Sequence, residues 1–335
     1  MTRNRFVRGD LVEVRSAAEI ASTLDSAGCL DGIPFMPEMA PHCGKRFRVH
    51  RRADRTCVEG LGMRRLGGTV FLDELRCDGA AHDGCQRGCL MFWKEAWLKP
   101  APAQNEAAPP VQAVPAQTEF ITKLPVKDGD VYRCQSTALA TATTPLSRWA
   151  PAMLVREMLD GELPLTRFLA IITRSATNKL RVTMGRPAIG ALTGPGGGAK
   201  GALRLKGGEQ VIVKKEPEIG ATLDGKGRNR GLQFEPDMAG FTGKVFEVDM
   251  PIRRIIHEET GRMRELTSTV TLKGVTCNGI CAKNCPRNNP VYWRESWLDR
   301  PSAALNAAQP ANEPGGAPTP PRAAACAHAA FQPAS

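Results

Sequence analysis

The chain contains two similar stretches of sequence, and this internal repeat constrains its fold more than any other feature. Residues 33–49 read IPFMPEMAPHCGKRFRV and residues 232–248 read LQFEPDMAGFTGKVFEV. Farther on, FWKEAWLKP (92–100) matches YWRESWLDRP (292–301). Similarity that keeps its register over such a length predicts two copies of one domain. We call these copies the first module (7–100) and the second module (207–300).

Within each module, short stretches of alternating apolar residues lie between turns rich in Gly and Pro. This pattern is typical of short antiparallel strands. We therefore expect each module to be a small SH3-like antiparallel barrel. The predicted fold is mostly β with an α insert: two tandem barrels with a short helical segment between them. The pairs Trp93/Trp97 and Trp293/Trp297 occupy equivalent positions and are predicted to close the two cores.

Composition predicts where the domains begin and end. Ala and Pro dominate the stretch after the first module, as in an extended linker, and apolar residues recur at helical spacing farther on. Glycines mark a joint before the second module, and the Ala- and Pro-rich end of the chain predicts a disordered tail. The predicted order is first module (1–100), linker (101–117), helical insert (118–193), joint (194–206), second module (207–301) and tail (302–335).

The chain has eleven cysteines, and the expected compartment decides how they are interpreted. The amino-terminal residues are charged and lack the apolar run of a secretory signal, and no stretch has the roughly 20 apolar residues of a membrane span. We therefore expect a cytoplasmic protein, in which cysteines bind metals more often than they form disulfides. The sequence has neither the GxxxxGKS/T phosphate loop nor the HExxH motif, so we favour a non-enzymatic role.

Cysteines cluster in the same part of each module and predict a metal site in both. Zinc prefers four Cys or three Cys and one His; an iron–sulfur cluster, redox-active thiols and unconnected buried cysteines are the alternatives. The candidate ligands of the first module are Cys57, Cys77, Cys85 and Cys89, with Cys43 or His82 as alternates. Those of the second module are His257, Cys277, Cys281 and Cys285, with His257 taken as the counterpart of Cys57. Three cysteines outside the repeated framework are expected to take no part: Cys29, Cys134 and Cys326.

The net charge of +11 is concentrated in the insert and the joint, because the stretch 163–208 has eight basic residues and no acidic one. A helix is predicted at 164–182, and its apolar stripe consists of Leu165, Phe168, Leu169, Ile172 and Ala176. We expect this stripe to pack on a barrel while the cations face water. The alternatives are an acidic protein partner or an anionic membrane, with the protein peripheral at the inner membrane. Contacts with either would come from Arg167, Arg174, Lys179, Arg181 and Arg186. Nucleic acid is not expected, because a single aromatic residue on this helix offers no stacking platform.

Three segments resemble a family of bacterial proteins that carry a Cys-rich module: PFMPEM (34–39), CGKRFRV (43–49) and LRCDGAAHDGCQRGCLMFWKEAWL (75–98). The resemblance covers the first module strongly and the second in degenerate form. It implies a genuine domain and no particular activity.

These observations together predict a metal-binding protein of the bacterial cytoplasm, with zinc as the expected metal. Such a protein would act as a binding or scaffold module for a protein partner. An iron–sulfur or thiol redox protein that serves a biosynthetic enzyme is the first alternative. A peripheral membrane adaptor that uses the helix at 164–182 is the second.

Overall fold

The computed structural model describes residues 5–101, 123–146, 150–196, 202–280 and 284–301. Contacts join both modules and the insert into one unit that extends to Arg300. The predicted tail (302–335), almost all of the predicted linker (101–117) and Cys281 lie outside the described residues.

The first module is built from short antiparallel strands, as its turn-rich sequence predicts. Its strands are β1 (Leu11–Val14), β2 (Cys29–Leu30), β3 (Ile33–Pro34), β4 (Arg46–Arg52), β5 (Arg55–Val58), β6 (Gly62–Arg65), β7 (Thr69–Leu72), β8 (Trp93–Lys94) and β9 (Leu98–Pro100). Among the described residues, five of these strands form one sheet in the order β8-β7-β4-β1-β9. Strands β5 and β6 pair in a hairpin. Helix α1 (Ala17–Ala21) follows β1 and begins at a capping box, in which Ser16 and Glu19 bond each other's backbone.

The insert combines helices with three short strands in its described part. The helices are α2 (Gln135–Ala142), α3 (Ala150–Leu159) and α4 (Leu165–Thr183), and the strands are β10 (Lys127–Asp128), β11 (Val131–Tyr132) and β12 (Thr144–Pro145). The side-chain amide at the start of α2 fixes that helix on the first module, because Gln135 Nε2 donates to Pro34 O at 3.1 Å and to Phe92 O at 2.8 Å. No described helix has the length and hydropathy needed to cross a membrane.

The second module has the arrangement of the first. Its elements are β13 (Gln210–Val213), α5 (Glu216–Gly220), β14 (Arg228–Asn229), β15 (Leu232–Gln233), β16 (Val245–Pro251), β17 (Arg254–Ile256), β18 (Met263–Glu265), β19 (Thr269–Thr276), β20 (Pro290–Arg294) and β21 (Leu298–Asp299). In the described residues the five-stranded sheet has the order β20-β19-β16-β13-β21, and β17 pairs with β18 in a hairpin. The strand order of this sheet is therefore that of the sheet in the first module.

The repeated tryptophans are buried in the module cores, as predicted. Trp97 and Trp297 are both 0% exposed. Their indole N–H groups donate to Thr23 Oγ1 at 3.1 Å and to Thr222 Oγ1 at 2.9 Å. Phe35 lies edge-to-face on Trp97 with ring centroids 5.3 Å apart. Each module therefore has an apolar core of its own.

Helix α4 turns inward a different face from the one that its sequence predicts. Leu165, Leu169 and Ile172 of the predicted stripe are 59%, 53% and 43% exposed, whereas Ile171 is 1% exposed. Ile171 packs against apolar residues of α3 and of the turn that follows α3. The expectation that the stripe packs on a barrel is wrong for these three residues, whereas Phe168 of the stripe packs against the same apolar cluster as Ile171. Apolar periodicity ignores arginines, and the inward face of this helix contains two.

Substitutions on the two faces of α4 should have opposite effects. Ile171→Asp places a carboxylate in an apolar contact and should lower the free energy of unfolding by several kcal/mol. Leu169→Asp adds the same charge to an exposed position and should change it by no more than about 0.5 kcal/mol. Urea unfolding followed by tryptophan fluorescence measures both, and equal losses would contradict the assigned orientation.

Candidate metal centre

The segment from Cys77 to Cys89, the Cys loop of the first module, is closed by its own backbone. The N–H of Cys77 donates to Cys89 O at 2.8 Å, and Gly84 N–H donates to Gly79 O at 3.0 Å. Gly79 has a φ of +69°, and a Cβ atom at this position would lie 2.1 Å from Cys85 O. Only glycine therefore lets the two sides of the loop approach this closely.

Four cysteines and one histidine line a single cavity at this loop. Cys77, His82, Cys85 and Cys89 belong to the loop, and Cys134 comes from the insert, immediately before α2. The cavity is narrow and partly open to solvent. Apolar side chains form much of the remaining wall: Met36, Leu90, Met91, Phe92 and Ile256.

Backbone N–H groups point at the sulfur atoms of this cavity. Cys77 Sγ accepts a hydrogen bond from Gly79, and Cys85 Sγ accepts one from Ile256 at 3.3 Å. Cys134 Sγ accepts hydrogen bonds from the first turn of α2. These bonds favour the thiolate form, but burial outweighs them and raises the pKa of Cys134 to about 11. Without a cation the thiol stays protonated at neutral pH, and metal binding would release its proton.

The four sulfur atoms do not converge as they would around one ion. Tetrahedral zinc with Zn–S bonds near 2.3 Å holds its thiolates about 3.8 Å apart. Within the described residues, the group of three candidate ligands whose donor atoms all lie within 4.8 Å of one another is Glu38, Cys77 and His82. No three cysteines of the described chain satisfy that limit.

A buried Glu–His pair borders Cys77. His82 Nδ1 and Glu38 Oε1 are 2.6 Å apart, and His82 Nε2 lies 3.3 Å from Arg133 O. Burial opposes both charges, but the hydrogen bond and the charge of each partner outweigh it. The pKa of His82 is therefore raised and that of Glu38 is lowered. The second carboxylate oxygen, Glu38 Oε2, is buried without a hydrogen-bond partner among the described residues, which leaves it available to a cation.

Arginine side chains surround the cavity near Cys89. Arg287 Nη2 donates to Ser136 Oγ at 3.0 Å, and that oxygen lies 3.4 Å from Cys89 Sγ. Arg76 Nη1 donates to a carbonyl of the Cys loop at 2.8 Å. Arg87 lines the cavity itself. Positive charge on these groups favours an anionic centre beside Cys89.

Two predicted ligands of the first module lie elsewhere. Cys43 packs against the apolar core of the module, where burial raises its pKa to about 11. Cys57 lies in β5 and contacts Cys285 of the second module. The structure brings neither side chain into the cavity wall.

Cys134 is the cavity residue that the sequence interpretation missed. It was expected to take no part because it lies outside the repeated framework. Its sulfur nevertheless lies at the first turn of α2, where backbone N–H groups are unpaired within the helix. A cysteine directly before a helix start is the signal that could have identified it.

The hairpin registers assign a different counterpart to Cys57 in the second module. Cys57 lies opposite Met63, and Ile256 lies opposite Met263. The residue inserted in the second module therefore falls in the hairpin turn, and Ile256, not His257, occupies the place of Cys57. His257 pairs with a glutamate of the first module at 3.4 Å. His257 is proposed as a ligand only as the counterpart of Cys57, and the hairpin registers remove that reason.

Helix α4 covers the Cys loop of the second module with arginines. Arg167 Nε donates to Asn284 Oδ1 at 3.1 Å, and the same guanidinium donates to Asn278 O. Arg174 Nη2 lies 3.5 Å from Asp237 Oδ1. In the described part of this module, the guanidinium of Arg167 therefore faces the loop between Cys277 and Cys285, and Arg174 reaches Asp237 outside that loop. Cys281, the further predicted ligand, lies outside the described residues.

The same contacts change the interpretation of the basic helix. Arg167 and Arg174 bind the second module, and Arg181 Nε donates to Pro187 O at 2.8 Å. Lys179 and Arg186 are exposed. The prediction of an acidic partner or an anionic membrane at this helix therefore rests mainly on these two residues.

Each Cys loop contacts the hairpin of the other module. Ile256 N–H donates to Cys85 Sγ, and Cys57 N–H donates to Cys285 Sγ, both at 3.3 Å. The two contacts have equivalent positions in the two modules. They form a reciprocal interface within one chain, of the kind that a two-fold axis creates between identical subunits.

A buried carboxylate links the arginines at this interface. Arg87 Nη1 donates to Ile256 O at 2.9 Å, and Arg287 Nη1 donates to Cys57 O at 2.8 Å. Both guanidiniums also contact Glu258 Oε2, Arg87 at 3.0 Å and Arg287 at 2.7 Å. Glu258 therefore balances part of the positive charge where the two modules meet.

Comparison with known proteins gave no match, either to a family model, to a curated protein or to a solved structure. The interpretation of the cavity therefore depends on its own geometry and chemistry.

Gly79→Ala should open the Cys loop. The added Cβ would lie 2.1 Å from Cys85 O and 2.8 Å from Cys85 N, so backbone must move. In the folded Gly79→Ala variant, we expect the thiols of the Cys loop to react faster with a chromogenic disulfide reagent than they do in the wild type. We also expect the midpoint of thermal unfolding to fall. Gly84→Ala is the matched control, since its φ is +71° with open space around it, and it should cost about 1 kcal/mol. Equal effects of the two substitutions would show that crowding at Cys85 is unimportant.

Glu258→Gln should destabilise the protein in a pH-dependent way. Burial opposes the charge of Glu258, but Arg287 and then Arg87 outweigh it and lower the pKa of Glu258. The charge therefore stabilises the fold above the usual glutamate pKa of 4.5 and ceases to do so as pH falls through the lowered folded value. At neutral pH the variant should lose about 3–5 kcal/mol, because it leaves buried arginines without a counter-charge.

The pH dependence of the difference between wild type and Glu258→Gln checks this assignment. Unfolding free energies measured from pH 7 downward should converge below pH 4.5. Glu59→Gln, at a side chain that is 44% exposed, is the control and should have little effect. A difference that stays constant with pH would contradict a charge-based role.

Proposed function

We propose that the first module binds an iron–sulfur cluster through Cys77, Cys85, Cys89 and Cys134, and that the protein is a redox protein rather than an enzyme. The observation that carries the proposal is the cavity wall: thiols from two separate segments share it without reaching the spacing of a single-ion site. A cubane cluster holds its four thiolates farther apart than one ion does, because iron and sulfide atoms lie between them. Four cysteines are the usual ligands of such clusters.

The surroundings of the cavity support an anionic redox centre. Hydrogen bonds to cluster sulfurs and nearby positive charge tune the potential of such a centre. Gly79 and Ile256 supply N–H donors to two of the cysteines, and Arg287 reaches Cys89 through Ser136. Apolar residues such as Leu90 limit the access of water.

Zinc is the second candidate, and a specific observation favours it. Glu38, Cys77 and His82 have donor atoms within 4.8 Å of one another, and Glu38 Oε2 is buried without a hydrogen-bond partner in the described chain. Three protein ligands and one further ligand would complete a tetrahedral site. His82 would have to give up one hydrogen bond to join it, because both of its ring nitrogens are engaged.

We propose further that the two modules are copies of one SH3-like barrel that arose by duplication. Two five-stranded sheets of identical order in the described residues support this, as do the reciprocal contacts between the Cys loops and the hairpins. On this proposal the first module carries the metal centre and the second module provides part of its cover. The cytoplasmic location and the protein partner stay predictions from the sequence.

Metal analysis after anaerobic purification tests the cluster. We expect iron and acid-labile sulfide in equal amounts, with a broad visible absorption that disappears on oxidation by air. Cys134→Ser should abolish both, because it removes the one ligand contributed by the insert. Cys43→Ser is the matched control, since Cys43 is a half-buried cysteine outside the cavity, and it should retain both.

The same samples decide between the two metals. Stoichiometric zinc without iron, lost in Glu38→Gln and kept in Cys134→Ser, would establish the single-ion site in place of the cluster. A folded protein without bound iron or zinc would reject both candidates.

A further inference from the structure

A pair of cysteines lies where the two modules meet, apart from the cavity that four other cysteines line. The N–H of Cys57 donates to Cys285 Sγ at 3.3 Å, which places the two cysteines side by side. The equivalent contact on the other side of the interface pairs Cys85 with Ile256. One side thus has an aliphatic side chain where the other side has a second thiol.

The surroundings of this pair favour a thiolate at Cys285. Cys285 Sγ accepts a hydrogen bond from the N–H of Cys57. Arg287 bonds Cys57 O at 2.8 Å and adds positive charge, part of which Glu258 offsets. Cys285 is therefore the nucleophile of the pair, and Cys57 is the resolving thiol.

We propose that Cys57 and Cys285 form a redox-active thiol pair, which a small hydroperoxide oxidises to a disulfide that joins the two modules. The burial of Cys285 limits the size of the oxidant. Cys285 is 5% exposed, so a bulky disulfide cannot reach its sulfur in the folded protein, and the oxidant has to be small. Because the pair uses neither Cys77, Cys89 nor Cys134, the proposal does not depend on the cluster.

The reaction balances with hydrogen peroxide as the oxidant. The thiolate of Cys285 attacks one peroxide oxygen, an S–O bond forms, the O–O bond breaks, and the departing hydroxide takes up a proton to become water. The sulfur of Cys57 then attacks the sulfenic sulfur of Cys285, an S–S bond forms, the S–O bond breaks, and a second water leaves with the proton of Cys57. Two thiols lose two electrons in total, and one peroxide gains them.

Peptide mapping of the full chain tests the proposal. The reduced protein is freed of reductant, treated with stoichiometric hydrogen peroxide, alkylated at its remaining thiols and digested without reduction. We expect mass spectrometry to find a peptide pair that links Cys57 to Cys285 and separates after reduction. A bridge between other cysteines, irreversible oxidation of Cys285, or unreacted thiols would each overturn the proposal.

Three variants assign the steps and separate this site from the cluster. In Cys57→Ser, a sulfenic acid should accumulate at Cys285, where dimedone traps it. In Cys285→Ser, Cys57 should stay unmodified under the same conditions. Cys134→Ser should form the bridge as readily as the wild type, so the absence of a cluster in any preparation leaves this result unaffected.

Discussion

The structure depends on a hydrogen bond that each module receives from the other. Cys85 Sγ and Cys285 Sγ are buried acceptors, and their N–H donors belong to Ile256 and Cys57 across the interface. A buried polar group that loses its partner costs about 1–3 kcal/mol, and Arg87 of the first module adds an ion pair with Glu258 that only the joined modules can form. Separating the modules would therefore deprive both sulfur atoms of these donors and Arg87 of Glu258.

The two modules share a frame, and the insert makes them different. Both Cys loops are closed by a glycine whose added Cβ would meet a cysteine carbonyl, Gly79 at 2.1 Å and Gly279 at 2.4 Å. The first loop then receives a thiol from the start of α2, whereas the second receives the guanidinium of Arg167 from α4. The two loops thus differ in the chemical group that the insert places against a common frame.

Much of the framework could be predicted from sequence, because apolar alternation and turn residues act locally. The repeat located equivalent strands and the buried Trp97 and Trp297, and the cavity contains four predicted candidates. Cys134 was missed because nothing local shows that a distant helix start faces the loop. Cys57 was assigned to the wrong partner because a one-residue insertion shifts the comparison by one position, which only hairpin pairing resolves. The inward face of α4 was misjudged because Arg167 is held inward by hydrogen bonds, which hydrophobicity does not measure.

The order of synthesis has a consequence for how the cavity is filled. The residue that covers Cys85 from the second module, Ile256, is 171 positions farther along the chain. While the ribosome completes that stretch, the earlier loop is already outside the exit tunnel and lacks this cover. On the proposed function, the cluster would therefore be assembled most easily during translation, before the hairpin of the second module docks on this loop.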